Sequence, residues 1–241
     1  MASRQEEKER RRQERLKREE AERKAAARRK RVQLVFGGLL GLAAIGGIIA
    51  VVALGVLGGD SGSGSGEAGE PAQPSEAAAE VQLPEQKVGD LDEAAKAAGC
   101  KVTHPEIEGA THEDKAFQAS DFKTNPPTSG NHNPDWYEDG IYAPGDTPRL
   151  GMLVHTLEHG RIDVQYKEGT PADDVAKLEA FLAETDGYHM LLFQNSTGMD
   201  ATVAATAWGH SLTCSKLDDT TWDALRTFRT SYIDKGPEAV P

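Results

Sequence analysis

Leu34 to Leu57 is an unbroken run of 24 residues without a charged or polar side chain. A helix that is apolar on every face has no stable place at the surface of a water-soluble domain, and about 20 such residues span a bilayer. A buried core helix would keep some polar positions over that length. A cleaved export leader has an apolar region of about 7–15 residues and a much shorter basic start. The run therefore reads as one transmembrane helix over residues 32–57, and it splits the chain into parts that face different compartments.

Charge gives the orientation. Residues 1–31 hold 14 Lys/Arg and seven Asp/Glu, a net of +7; the whole chain is −12, so everything after Arg31 is −19. The basic flank, ending Arg28-Arg29-Lys30-Arg31, is expected to stay cytoplasmic, which places the C-terminal part outside the cell membrane. The arm reads as helical, because Glu6/Arg10, Glu7/Arg11, Glu14/Arg18, Glu19/Arg23 and Glu20/Lys24 are acid-before-base pairs one turn apart. Its expected partner is the lipid bilayer with its anionic headgroups. The interspersed acids argue against nucleic acid. Gly37-x3-Gly41 lies within the apolar run, a spacing that lets helices approach closely and suggests a homo-oligomer.

Residues 58–90 open on Gly/Ser repeats and continue in Pro, Ala, Glu and Gln, so they read as a flexible acidic linker. Residues 91–241 are the usual size of one domain. The pattern predicts a short helix over Leu91–Ala98, stopped by Gly99, and then an irregular Pro-rich lobe from His104 to Leu150. A helix follows over Gly151–His159, a strand over Ile162–Tyr166, and an amphipathic helix over Ala172–Thr185. Strands are expected over His189–Gln194 and Ala201–Trp208, and a closing helix over Thr221–Tyr232. This order implies an α+β fold, a small mixed sheet with packed helices, preceded by the irregular lobe.

Two cysteines, Cys100 and Cys214, fall in the outer part. In an oxidising compartment an even pair defaults to a disulfide. A Cys/His metal site is the rival reading.

The histidines carry the chemistry. His155 and His159 lie one helical turn apart and so share a face, the spacing of two ligands to one ion. His132 follows Pro126-Pro127-Thr128-Ser129-Gly130-Asn131, a loop stiffened by prolines. His112 is a fourth candidate in the same lobe. Imidazoles suit copper or zinc, and thioethers favour Cu(I), so Met199 is noted as an axial ligand candidate and Met152 as a residue on the His155 face, with core filling the other reading of both. His104 and His189 lack a partner at ligand spacing and read as structural. His155-x-x-Glu158-His159 also matches the inverzincin pattern of zinc hydrolases, with Glu158 as general base. Without a metal, Glu158 would pair with Arg149 or Arg161, Trp208 would fill the core, and the domain would be an envelope scaffold or binding module for another envelope protein.

Four segments together resemble domain-of-unknown-function family 3105. They are Pro126-Pro127-Thr128-Ser129-Gly130-x-His132, Gly140-Ile141-Tyr142, Val154-His155-x-Leu157-Glu158-His159-Gly160 and Ala207-Trp208-Gly209. The resemblance runs from about His112 to Tyr232. It implies a bacterial protein with a basic N-terminus, one membrane span and an outer domain. It leaves activity open. Taken with the residues, the expectation is a metal-binding outer domain in envelope metal handling or sensing, with ligands His132, His155, His159 and His112.

Overall fold

A computed structural model describes residues 71–146 and 148–238. The basic arm and the apolar run lie outside the described residues. Among the described residues no helix is long and apolar enough to cross a membrane.

The architecture is α+β. Among the described residues, five α-helices accompany one six-stranded mixed sheet. In chain order these are α1 (Glu76–Glu80), α2 (Leu91–Ala98), β1 (Cys100–Thr103), β2 (Gly140–Tyr142) and α3 (Leu150–Glu158). Then come β3 (Ile162–Tyr166), α4 (Ala172–Ala183), β4 (Met190–Gln194), β5 (Val203–Ala207), β6 (His210–Cys214) and α5 (Thr221–Tyr232). The strand order is β1-β6-β5-β3-β4-β2. Strands β2, β4 and β3 run parallel, and β3, β5, β6 and β1 pair antiparallel.

The two faces of the sheet differ because side chains alternate along each strand. Along β4, Met190 and Leu192 join one large cluster with Ile162, Val164, Leu212 and the inner faces of α2, α4 and α5, including Leu178, Phe181, Trp222 and Phe228. Leu191 and Phe193 point the other way, onto Tyr137, Tyr142 and Leu153 of α3. All four residues are fully buried, which explains why β4 reads as a continuous apolar run rather than an alternating one. On that second face β3 and β5 present Asp163, Gln165 and Thr206, all buried. A polar inner face calls for polar partners, and α3 with the irregular lobe supplies them.

Three strands escaped the pattern reading. β1 and β2 are only four and three residues long. β6 follows β5 across the two-residue turn Trp208-Gly209, with Gly209 at φ 74°. The expected linker is also shorter than its composition suggests. Ala72 bridges to Ile141, the Ser75 amide donates to Glu179, and Ser75 caps α1. Lys87 and Val88 donate backbone N–H groups to Asp223 at 3.1 and 3.0 Å. Leu83 and Val88 pack on the core. Two apolar anchors and a buried carboxylate on α5 thus dock a stretch that looks featureless in sequence.

Cys100 and Cys214 form a disulfide that ties β1 to β6 across 114 positions. Loop closure of that size is worth about 4–5 kcal/mol on the chain-entropy account. Replacing both cysteines with serine should lower the free energy of unfolding by about 2–5 kcal/mol, read as a fall in the denaturant midpoint with a somewhat steeper slope, because the denatured chain without the cross-link is less compact.

Candidate metal centre

Helix α3 and the lobe meet at Gly151 and Asn133. The Asn133 amide donates to the Gly151 carbonyl at 3.3 Å, and a Cβ at residue 151 would run into the Asn133 side chain and Phe117. Glycine is therefore required for the lobe to reach the helix. One turn later, His155 Nδ1 donates to the Asn133 carbonyl at 2.8 Å.

The lobe is pinned in turn. Asn133 Nδ2 donates to the carbonyls of Glu113 and Lys115 at 3.0 and 2.8 Å. His112 and His132 form a parallel bridge, with the His132 amide on Thr111 and the Glu113 amide on the His132 carbonyl. Within the Pro/Ser/Gly loop, Ser129 Oγ accepts the Glu108 amide, and the Thr128 carbonyl accepts the Gly209 amide from the β5–β6 turn. His132 Nδ1 donates to the Gly130 carbonyl at 2.8 Å, and Trp208 packs edge-on against its ring at 5.9 Å.

These contacts fix the tautomers. A carbonyl only accepts, so His132 and His155 each carry a proton on Nδ1, which leaves Nε2 as the atom that can take a ligand position. His112, His132, His155 and Glu158 each offer one ligand atom, and these atoms lie within 4.8 Å of one another. The three rings sit 4.6–4.8 Å apart, centroid to centroid. His132 Nε2 is 2.9 Å from Glu158 Oε2, and His112 Nε2 is 3.5 Å from the same oxygen. Yet His132 Nε2 and Glu158 Oε2 are buried without a hydrogen bond. Two lone-pair atoms packed that closely out of water need positive charge between them, a proton or a metal ion.

The expected ligands divide. His112, His132 and His155 converge, with His112 half exposed and the other two buried. His159 does not join that group; Glu158 takes the fourth place. His159 closes α3 as its C-terminal cap, and its ligand atom groups with His155 and Glu238 instead. Glu158 Oε2 therefore lies among the candidate ligand atoms themselves. Sequence reasoning treated it as a general base or as an ion-pair partner of Arg149 or Arg161, although its i+3 spacing from His155 already put it on the same face. Arg161, offered as a partner for Glu158, pairs with Asp139 at 2.7 Å. Met152 packs against the Tyr137/Tyr142 cluster, and Met199 is buried with its amide held by Asn195. His189 donates to Asp234 at 2.6 Å. His104 and His210 share an Nδ1–Nδ1 contact of 2.8 Å, and no third ligand joins them among the described residues.

Burial favours the neutral form of the two α3 histidines. It lowers His155, helped by His132, and takes His159 down to about 4, helped by His155 and Arg161. A neutral ring is the form that coordinates.

Residues 114–240 match a family described as a protein of unknown function, DUF3105, and the chain belongs to it. The matched stretch contains His132, His155, Glu158 and His159, and His112 lies just before it. No curated protein and no solved structure matches the chain.

Behind the site, Thr156 Oγ1 lies 3.0 Å from Asp163 Oδ1 and 2.5 Å from the Leu153 carbonyl. One hydroxyl proton cannot serve both acceptors. Burial pushes the Asp163 carboxyl well above its usual range, so it keeps its own proton and can donate to Thr156. The unfolded chain loses that proton near pH 4 while the native chain retains it, so stability falls as pH rises above that point. Asp163→Asn, which cannot ionise, should gain on the parent protein as pH is raised from 4 to 8, measured as the difference between their urea midpoints. A difference that stays flat would show that Asp163 is ionised in the native state.

Proposed function

We propose that this DUF3105 protein is membrane-anchored, with an extracytoplasmic domain that binds one transition-metal ion through His112, His132, His155 and Glu158. Its role would be metal handling or sensing at the envelope. The observation that carries this reading is the buried, unpartnered pair His132 Nε2 and Glu158 Oε2, 2.9 Å apart and joined by two further imidazoles. The backbone carbonyls on His132 and His155 orient the rings as partners of ligating histidines do.

Three imidazoles and a carboxylate, with no sulfur, suit Zn(II) or Cu(II) better than Cu(I). His112 gives the ion a solvent-facing ligand, which fits exchange rather than a closed structural site. The anchor rests on the apolar run Leu34–Leu57 and the charge step across it.

Calorimetry on the full-length, untagged protein should give about one Cu(II) or Zn(II) per chain. His155→Ala and Glu158→Gln should each weaken binding by about 100-fold or more, beyond the roughly 10–100-fold lost with an outer-shell partner. His189→Ala should leave the affinity unchanged. Identical traces for the parent and a His132→Ala/His155→Ala variant would leave a metal-free scaffold. Glu158→Gln that spares binding but abolishes hydrolytic turnover would instead point to a zinc hydrolase. For the anchor, protease added to intact protoplasts should remove the outer domain and spare the basic arm; protection of residues 91–241 would overturn the orientation.

A further inference from the structure

We infer that the chain builds a second cation position from His155, His159 and Glu238, an outer station that shares His155 with the proposed centre and passes its ion inward. The inference rests on the metal-binding reading above and adds a route to it.

The ligand atoms of His155, His159 and Glu238 lie within 4.8 Å of one another. His159 Nε2 is 3.6 Å from Glu238 Oε2. The His159 side chain is almost wholly buried, and the nitrogen it turns toward the exposed Glu238 carboxylate is Nε2.

Glu238 is held in place by backbone. The Asp234 amide donates to the Gly160 carbonyl at 2.9 Å, and the Glu238 amide donates to the Glu158 carbonyl at 3.1 Å. Between them Gly236 lies so close to the Glu158 carbonyl and the Gly160 amide that a Cβ would overlap both. His189 takes the Asp234 carboxylate and steadies the start of this strap. The C-terminal segment is thus fastened along the end of α3, with Glu238 over His159.

The shared ligand decides how the two positions relate. His155 Nδ1 is committed to the Asn133 carbonyl, which leaves only Nε2 for an ion. The ring cannot bridge two metals, so the positions are alternatives about one pivot. An ion held by His159, His155 and Glu238 reaches the inner group by releasing His159 and Glu238 and taking His132, Glu158 and His112. His155 stays bound throughout; the proton that joins His132 Nε2 and Glu158 Oε2 in the metal-free protein leaves to solvent as the ion enters, and no electron is exchanged. Each group reaches solvent through one ligand, Glu238 at 50% and His112 at 43% exposed, so ligand number sets the direction. The outer position has three ligands against four, so it is the weaker. Trp136 lies edge-on to both His155 and His159, at 5.5 and 4.7 Å, and reports on either occupancy.

The test uses full-length, untagged protein and Cu(II), followed by stopped-flow quenching of tryptophan fluorescence and by the nitrogen pattern in electron paramagnetic resonance. Glu238→Gln, at an exposed side chain, and His159→Ala should each slow loading about tenfold or more while changing the equilibrium affinity less than about threefold. With the inner group disabled by His112→Ala/Glu158→Gln, one Cu(II) should still bind, more weakly, with two nitrogens. Adding His159→Ala should weaken that residual binding at least about tenfold further. Circular dichroism confirms the fold of each variant; should the double variant not fold, the Glu238→Gln rate decides. Unchanged loading rates, or residual binding indifferent to His159, would overturn the outer station while leaving the inner centre intact. A parent protein that binds no Cu(II) would overturn both.

Discussion

Four hydrogen bonds converge on Asn133, and the geometry of the site depends on them. Its amide reaches α3 at Gly151, its carbonyl orients His155, and its side chain holds the carbonyls on either side of Asp114. One residue thereby registers the His155 ring, the strand-like segment carrying His112 and the neighbouring His132. Each bond is worth about 1 kcal/mol in stability, but their directional effect is larger. Lose the Asn133 carbonyl and the His155 ring is free to flip its tautomer, so Nε2 no longer faces the other ligands. The stiff Pro126-Pro127 loop matters because it delivers Asn133 as well as His132.

The division of the sheet explains why such a polar cluster is tolerated. α2, α4 and α5 cover one face with an apolar core that supplies the hydrophobic stabilisation. The other face is spared that task and carries Asp163, Gln165 and Thr206. Gln165 Nε2 donates to Thr206, and Asn195 Nδ2 donates to Gln165, so these groups satisfy one another. α3 rests on this hydrogen-bonded floor through Thr156. The helix is buried on nearly every side, which accounts for its mixture of leucines and titratable residues.

The helices and the longer strands were legible because their periodicities are set by the core face they serve. Trp222, Leu225 and Phe228 recur at helical spacing on α5, and Met190–Phe193 form a run long enough to mark a strand. β1 and β2 are too short to carry a period, and their pairing depends on distant partners. β6 was within reach: Trp208-Gly209 is a two-residue turn between two alternating segments. At the site, the histidines announced themselves by spacing, and three of the four named residues converge. The sequence could not decide between Glu158 and His159, since i+3 and i+4 lie on the same helical face. That choice is made by where the lobe packs, a tertiary fact. Glu238 was out of reach altogether, because its place depends on a strap fastened by backbone groups.

The end of α3 is where this ambiguity becomes useful. Glu158 is the last helical residue, whereas His159 has left the helix at φ −79° and ψ 7°. The chain turns there through Gly160, at φ 79°, a conformation natural to glycine. Had the helix continued, residues 158 and 159 would both have stayed on the His155 face, competing for one ion. The early stop separates them: Glu158 stays with the lobe, and His159 swings toward the C-terminal strap. The stop also leaves the carbonyls of Glu158 and Gly160 without helical partners, and the amides of Glu238 and Asp234 take them. The same helix terminus therefore separates the two candidate ligand sets and anchors the segment that completes the second.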